Sequence, residues 1–147
     1  MKPDAVRLDA AIYPRVVEIT TRFGDMDLNA HLNNVAYARY FEEARVTFNH
    51  GILIENGHRL PELREFRIMV ASVSIDYLRE GKYGPPVRIG IGVSRIGNSS
   101  FAIGAACFQE DSCLAVHDSV IAFKGPTDGI PAVIREKLMA QSLKLPG

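Results

Sequence analysis

Between Phe23 and Asn34 the chain reads Phe23-Gly24-Asp25-Met26-Asp27-Leu28-Asn29-Ala30-His31-Leu32-Asn33-Asn34. Two carboxylates, three amides and an imidazole in so short a stretch are groups that can take a proton from water, attack an acyl carbon, or hold a carbonyl oxygen. The next residues determine how these groups can act together. Tyr37, Phe41, Ala44 and Phe48 recur at helical spacing and form an apolar stripe, so the polar stretch stands directly ahead of a helix. The first N–H groups of a helix have no partner within it, and the helix dipole adds positive potential there. Such a terminus stabilises an anion, and the tetrahedral intermediate of acyl transfer carries its charge on oxygen. Carboxylate and oxyanion donors side by side are the two parts needed to hydrolyse a thioester. Capping alone also explains much of this composition, because Asp and Asn favour helix starts for local hydrogen bonding. The spacing by itself leaves both readings open.

The elements that must position these residues are set by periodicity. A first strand is expected over Arg15 to Phe23, rich in Val, Ile and Thr. Asn33 or Asn34 is the natural cap of a helix from about Val35 to His50, with Gly51 placed to stop it. The segment Glu55 to Glu65 reads as irregular. A strand is expected over Phe66 to Leu78, and the cleanest one where Val87, Ile89, Ile91 and Val93 alternate with Arg88, Gly90, Gly92 and Ser94. Gly97-Asn98 reads as a two-residue hairpin turn into a strand from Ser100 to Gln109. After a turn at Glu110, Asp111 and Ser112, a last strand spans Cys113 to Phe123. Pro131 can open a short helix to about Leu143. One long helix beside about five meandering strands is an α+β pattern. Gly90, Gly92 and Gly104 within strands suggest bends or close approach, as in a curved sheet wrapped around the helix.

Composition narrows the function classes. The 147 residues suit one domain, spanning 1–147, able to bury a core without disulfides or metal. With 17 basic and 17 acidic residues the formal charge is zero, which removes the electrostatic argument for nucleic-acid binding. No apolar run reaches the length of a signal peptide core or a membrane span, so no membrane association is expected and the cytoplasm is the default location. Cys107 and Cys113 sit in apolar stretches and read as free thiols.

The Phe23–Asn34 segment resembles the signature of hot-dog-fold thioesterases, the 4-hydroxybenzoyl-CoA thioesterase-like acyl-CoA hydrolases. There Phe-Gly-Asp-x-Asp leads through a loop into a helix beginning near an Asn and a Tyr, matched here by Phe23, Gly24, Asp25, Asp27, Asn34 and Tyr37. The resemblance implies that Asp27 is the catalytic carboxylate, as general base or nucleophile, and that the Asn34 backbone N–H is the oxyanion donor. The stretch is also similar to the Asp-x-Asp-x-Asn-x-His-Val-Asn-Asn of acyl-carrier-protein thioesterases, matched by Asp25, Asp27, Asn29, His31, Leu32, Asn33 and Asn34. That makes His31 a candidate for an orienting catalytic role, and Asn29, Asn33 and Tyr37 candidate substrate contacts. The helix with Tyr40-Phe41-Glu42-Glu43-Ala44-Arg45, the strand at Val73-Ser74-Ile75-Asp76-Tyr77 and the hairpin at Arg95 to Ser100 look like the same family. One departure is that 4-hydroxybenzoyl-CoA thioesterase has an aromatic residue where Asn34 stands, which argues against an aromatic acyl group. The implied fold is a hot-dog, a curved antiparallel sheet around one long helix with a short C-terminal helix. The implied partner is an acyl-CoA or acyl-carrier-protein thioester, without cofactor.

Competing signals are weaker. Asp25-x-Asp27-x-Asn29 imitates the start of a calcium loop, but Ala30 and Ala36 stand where Gly and Glu are needed. His31, His50, His58 and His117 form no metal-ligand spacing with the cysteines. His117, in mid-strand, is expected to be a hydrogen-bonded structural residue. Tyr37, Tyr40 and Phe41 read as core. Two other functions stay in view: an acyl-thioester hydratase or dehydratase of the same fold, whose Asp-x-Asn-Pro-x-His motif is missing its Pro here, and a non-catalytic acyl-CoA-binding module. Exposed sheet edges and a face that one helix cannot cover predict at least a homodimer, with the site shared between chains.

Overall fold

The computed structural model describes residues 2–146. Strand β1 (Arg15–Ile19) leads through a short 3-10 turn (Phe23–Asp25) into helix α1 (Asn34–Leu53). A small hairpin, β2 (Ile54–Glu55) and β3 (His58–Arg59), and a 3-10 turn come next. After them stand β4 (Arg67–Tyr77), β5 (Val87–Ile96), β6 (Ser100–Gln109), β7 (Ser112–Lys124) and helix α2 (Ala132–Met139). The main sheet is five-stranded, antiparallel throughout, in the order β1-β5-β6-β7-β4. With one long helix packed on it, this is the hot-dog arrangement expected from the sequence.

The alternation in β5 and β6 explains the core. Ile89, Ile91, Phe101 and Ile103 point to one face, where they meet Tyr37, Phe41, Ala44, Phe48 and Ile52 of α1. Phe41 is 1% exposed; truncating so buried a ring costs about 3–5 kcal/mol. The opposite face is covered by the N-terminal segment. Ile12 and Tyr13 pack with Ala106, Phe108 and Val116 in a second cluster. The in-strand glycines serve that packing. A Cβ at Gly90 would meet the Tyr13 ring at 2.8 Å, and one at Gly92 would meet Pro14 at 2.6 Å. The close approach is by side chains crossing the sheet.

β4 holds its register through a bulge. Pairing with β7 shifts between Val70 and Ser72, leaving Ala71 unmatched. Without that extra residue, Ile68 and Val70 would face the opposite side from Val73, Ile75 and Tyr77. With it, both sets share the helix side of the sheet. α1 covers them only in part: Ile68 and Ile75 pack against its cluster, while Val70, Val73 and Tyr77 stay 44–48% exposed at the sheet's free edge.

Several sequence expectations are corrected. The first strand ends at Ile19, because Phe23–Asp25 turns to bring Asp25 inward. α1 runs through Gly51 to Leu53, since Ile52 and Leu53 are buried and hold the last turn in place. The 55–65 stretch contains the β2–β3 hairpin. The β5–β6 connection has three residues, 97–99, closed by Gly97 N–H to Ser100 O at 2.8 Å. Ser112 belongs to β7, where it pairs with Gln109, so the preceding turn is two residues long. α2 stops at Met139, after which the chain turns back to bond Val93 from Gln141 and Leu143. Cys107 and Cys113 are free and buried.

Candidate active site

The loop before α1 is closed by its own backbone and by two carboxylates with different roles. Asp25 turns inward and is 8% exposed. Its Oδ2 accepts from the Tyr40 hydroxyl at 2.6 Å and from Arg22 N–H at 2.9 Å, and its carbonyl accepts from Asn33 N–H at 2.9 Å. Asp25 thereby ties the loop to the first turns of α1. Burial, reinforced by the bond to Asp25, holds the Tyr40 hydroxyl well above the usual phenol range.

Asp27 turns outward. Its Oδ1 accepts from Asn29 N–H at 2.8 Å and from His31 N–H at 3.2 Å, an Asx-type turn around the carboxylate. The main chain closes the same turn through Asp27 N–H to His31 O at 2.8 Å and Ala30 N–H to Asp27 O at 3.1 Å. Ala30 adopts φ 61° to make that turn. Among the described residues no donor reaches Oδ2, so one oxygen is fixed by the fold and the other faces the exterior.

A second segment docks beside the turn. Leu32 N–H bonds Gly81 O at 2.9 Å, and His31 lies in bridge register with Lys82. Buried Gln109 holds that segment, accepting from Lys82 N–H at 3.0 Å and donating to the carbonyls of Lys82 and Pro85. This brings Glu80 Oε2 to 3.3 Å from His31 Nε2. A Cβ at Gly81 would come within 3 Å of Leu32 Cδ1, Leu114 Cδ1 and the Tyr37 hydroxyl, so a larger residue there would require these side-chain ends to shift.

These contacts place each of the sequence-derived candidates. Asp27, Asn29 and His31 form one turn, with the backbones of Asn29 and His31 holding the Asp27 carboxylate. Asn33 is the N-cap of α1, its Oδ1 accepting from Ala36 N–H at 2.8 Å. Asn34 is the first helical residue, and among the described residues its N–H has no acceptor. Tyr37 is buried at 3%, its ring edge-on to Tyr40 and Tyr77 and its hydroxyl 3.5 Å from Arg79 O. Burial, with Cys107 adding, pushes its phenol up to about 12, so it stays protonated at neutral pH. Burial likewise raises both cysteine thiols, which disfavours their thiolate forms. Sequence reading missed Tyr40, Gln109 and Glu80. Glu80 and Gln109 are distant from the loop in sequence, and no local pattern marks their arrival there; for Tyr40 the only signal was an inward-facing hydroxyl needing an acceptor.

His117 departs from expectation. It faces α1 and stacks on Phe41 with ring centroids 4.7 Å apart, yet neither ring nitrogen has a hydrogen-bond partner among the described residues. Burial, aided by Arg45 and Arg7, lowers it to about 4, so it is held neutral by packing.

With this geometry in view, the comparisons with known proteins are consistent. Residues 21–141 match the model of the thioesterase-like superfamily. The chain belongs to that family. It is 30% identical over 86 residues to the uncharacterized protein YsmA of Bacillus subtilis (strain 168). That alignment takes in 58% of this chain and 55% of YsmA, so it spans about half the relative's length. The fold matches a predicted thioesterase from Bacillus stearothermophilus, with a TM-score of 0.74 and 26% identity over 90% of this chain and 98% of that one. It also matches a thioesterase from Thermus thermophilus complexed with coenzyme A and Zn, with a TM-score of 0.73 and 26% identity over 88% and 95%. Among the described residues, no three His, Cys, Asp or Glu side chains are grouped to hold a metal ion, and no helix is long and apolar enough to cross a membrane.

Proposed function

We propose that this chain hydrolyses acyl-CoA thioesters, with Asp27 as the catalytic group. The observation that carries the reading is the Asp27 turn. Two backbone donors pin one carboxylate oxygen while the other has no donor, in the loop that leads into α1, whose first residue, Asn34, has a free N–H among the described residues. A thioester carbonyl oriented toward the Asn34 N–H has its developing oxyanion stabilised by that donor and by the helix dipole. The open Asp27 oxygen then takes a proton from the attacking water and returns it to the leaving thiolate as the C–S bond breaks; alternatively it attacks the carbonyl carbon itself, expelling a thiolate that is protonated by solvent, and water then hydrolyses the acyl-aspartyl anhydride to the free acid and restores Asp27. His31, beside Glu80, orients substrate at the rim. The coenzyme A held by the Thermus thioesterase supports CoA as the carrier.

Asp27→Asn keeps the side-chain volume and one oxygen acceptor but removes the base and nucleophile. Hydrolysis of acyl-CoA should fall by about 10²–10⁴-fold with the melting temperature nearly unchanged. Near-normal turnover by this variant would exclude Asp27 as the catalytic group.

We also propose that two chains share the site. Val70, Val73 and Tyr77 lie open on the free edge strand, and Phe23, Leu28, Val35 and Tyr83 stay exposed on the Asp27 loop and its flanks. Thioester chemistry needs water limited to the attacking molecule, and a lone chain leaves Asp27 uncovered. Edge pairing along β4 would cover the apolar surface and shelter the loop together. Light scattering at micromolar concentration should give at least twice 16.2 kDa. An active species at the single-chain mass would end the shared-site reading.

A further inference from the structure

A cavity lies toward the C-terminal end of α1, away from the Asp27 loop. Its volume is about 380 Å³, at the small end of the range of ligand pockets. Val17 of β1, Phe48 and Ile52 of α1, and Ile91 of β5 make its apolar floor. Phe48 is fourteen residues beyond Asn34, about 20 Å along the helix at 1.5 Å per residue, so this cavity is separate from the Asp27 loop.

Charge at the rim has one sign. Arg15 and Lys137 border the cavity, no carboxylate does, and neither cation has an ion-pair partner among the described residues. Arg15 is held in place by its Nε, which donates to Gln141 Oε1 at 3.0 Å and leaves the outer nitrogens of the fork free. The neighbouring cleft, which shares Val17, is lined instead by Glu18, Asp25, Glu42 and Glu43 alongside its own arginines. An anion is therefore favoured at the Arg15 end and opposed at the other.

The floor is kept open by a residue that nothing else explains. Gly51 lies within α1 in ordinary helical conformation, although glycine is a poor helix former. A Cβ there would meet no atom within 4 Å. Neither backbone conformation nor close packing requires glycine at this position, and a larger side chain would grow into the cavity.

We infer that this cavity binds a free aliphatic carboxylate of short to medium chain, its tail on the Phe48–Ile52–Ile91 floor and its head between Arg15 and Lys137. Guanidinium and carboxylate match as paired donors and acceptors, and the volume suits one short chain. The inference stands apart from the proposed hydrolysis, because its test reads binding and not turnover.

Calorimetric titration of the intact protein with sodium octanoate should show saturable binding of one ligand per chain. Octylamine, with the same tail and opposite charge, should not bind. Arg15→Gln combined with Lys137→Gln changes only exposed side chains and should weaken octanoate at least tenfold. Gly51→Leu should abolish binding, with a melting temperature equal to or above that of the parent. Asp27→Asn should leave octanoate binding unchanged. No saturable heat with octanoate would overturn the inference. So would octanoate binding that survives both cavity variants, since the ligand would then sit elsewhere.

Discussion

The loop ahead of α1 and the sheet beneath the middle of α1 treat polar groups in opposite ways. In the loop, inward-facing Asp25 and outward-facing Asp27 collect four donors between their side chains, and Asn33 caps the helix. On the helix, Asn49 Oδ1, and on the sheet beneath it, both nitrogens of His117 and Ser119 Oγ are buried without partners among the described residues. An unpartnered buried polar group costs about 1–3 kcal/mol, whereas a hydrogen bond that is made contributes about 1. Local hydrogen bonding therefore gives the loop its shape, while the mid-helix region relies on apolar packing that outweighs its polar penalties.

Acid should expose the contrast most strongly. His117 titrates near 4 when folded against an ordinary 6.5 when unfolded. Below pH 6.5 the unfolded chain takes up a proton that the folded chain refuses. The stability held by the neutral ring is thus complete above pH 6.5 and drains away as pH falls through about 4, by about 3 kcal/mol in all. Denaturant midpoints measured from pH 7.5 to 4 should fall in the parent, and this part of the fall should be missing in His117→Leu. An unaltered acid profile in that variant would shift the cause to other groups.

Asp25→Ala tests whether the loop's inward carboxylate behaves as core. It leaves the buried Tyr40 hydroxyl and Arg22 N–H without acceptors, and should lower stability by about 2 kcal/mol. Asp25→Asn keeps an acceptor for Tyr40 and should cost less. Both should retain more activity than Asp27→Asn when assayed below their melting temperatures; equal loss of turnover in a folded Asp25→Asn would place Asp25 in the chemistry.

The smallest effect is expected at the cap. Asn33→Ala removes the side-chain acceptor for Ala36 N–H, leaving its 3.1 Å bond to the Asn33 carbonyl, and should cost about 1 kcal/mol. Chemical denaturation resolves that amount. No change at all would mean that water replaces the cap without penalty.

Much of this was readable in advance, for identifiable reasons. The strand from Ser100 to Gln109 appears with the expected bounds, because alternation and flanking turns are local signals. The polar loop, its cap and the helix stripe were equally local. What escaped depends on distant contacts. Gly51 does not end α1, because Ile52 and Leu53 find burial beyond it. The bulge at Ala71 answers to β7, and no local feature of β4 announces it. In the candidate site, Asp27, Asn29, His31 and Asn34 lie in one stretch, so the sequence presents them together. Glu80 and Gln109 join them only through the docking of a second loop. His117 looked like a residue seeking a hydrogen bond, and packing against Phe41 decided otherwise.

The contact between the two ends of the described chain has a kinetic consequence. Lys144 N–H bonds Ile12 O at 2.7 Å, and Leu143 lies with Pro14 against Gly92. That clasp joins residues separated by almost the whole sequence, and closing so long a loop takes more chain entropy than any hairpin here. The β5–β6–β7 meander closes over short turns and can assemble from neighbouring segments. The meander should therefore collapse first with α1 across it, and the clasp should fasten last. In native-state hydrogen exchange its amides should open well before those of β6, which lies at the centre of the sheet.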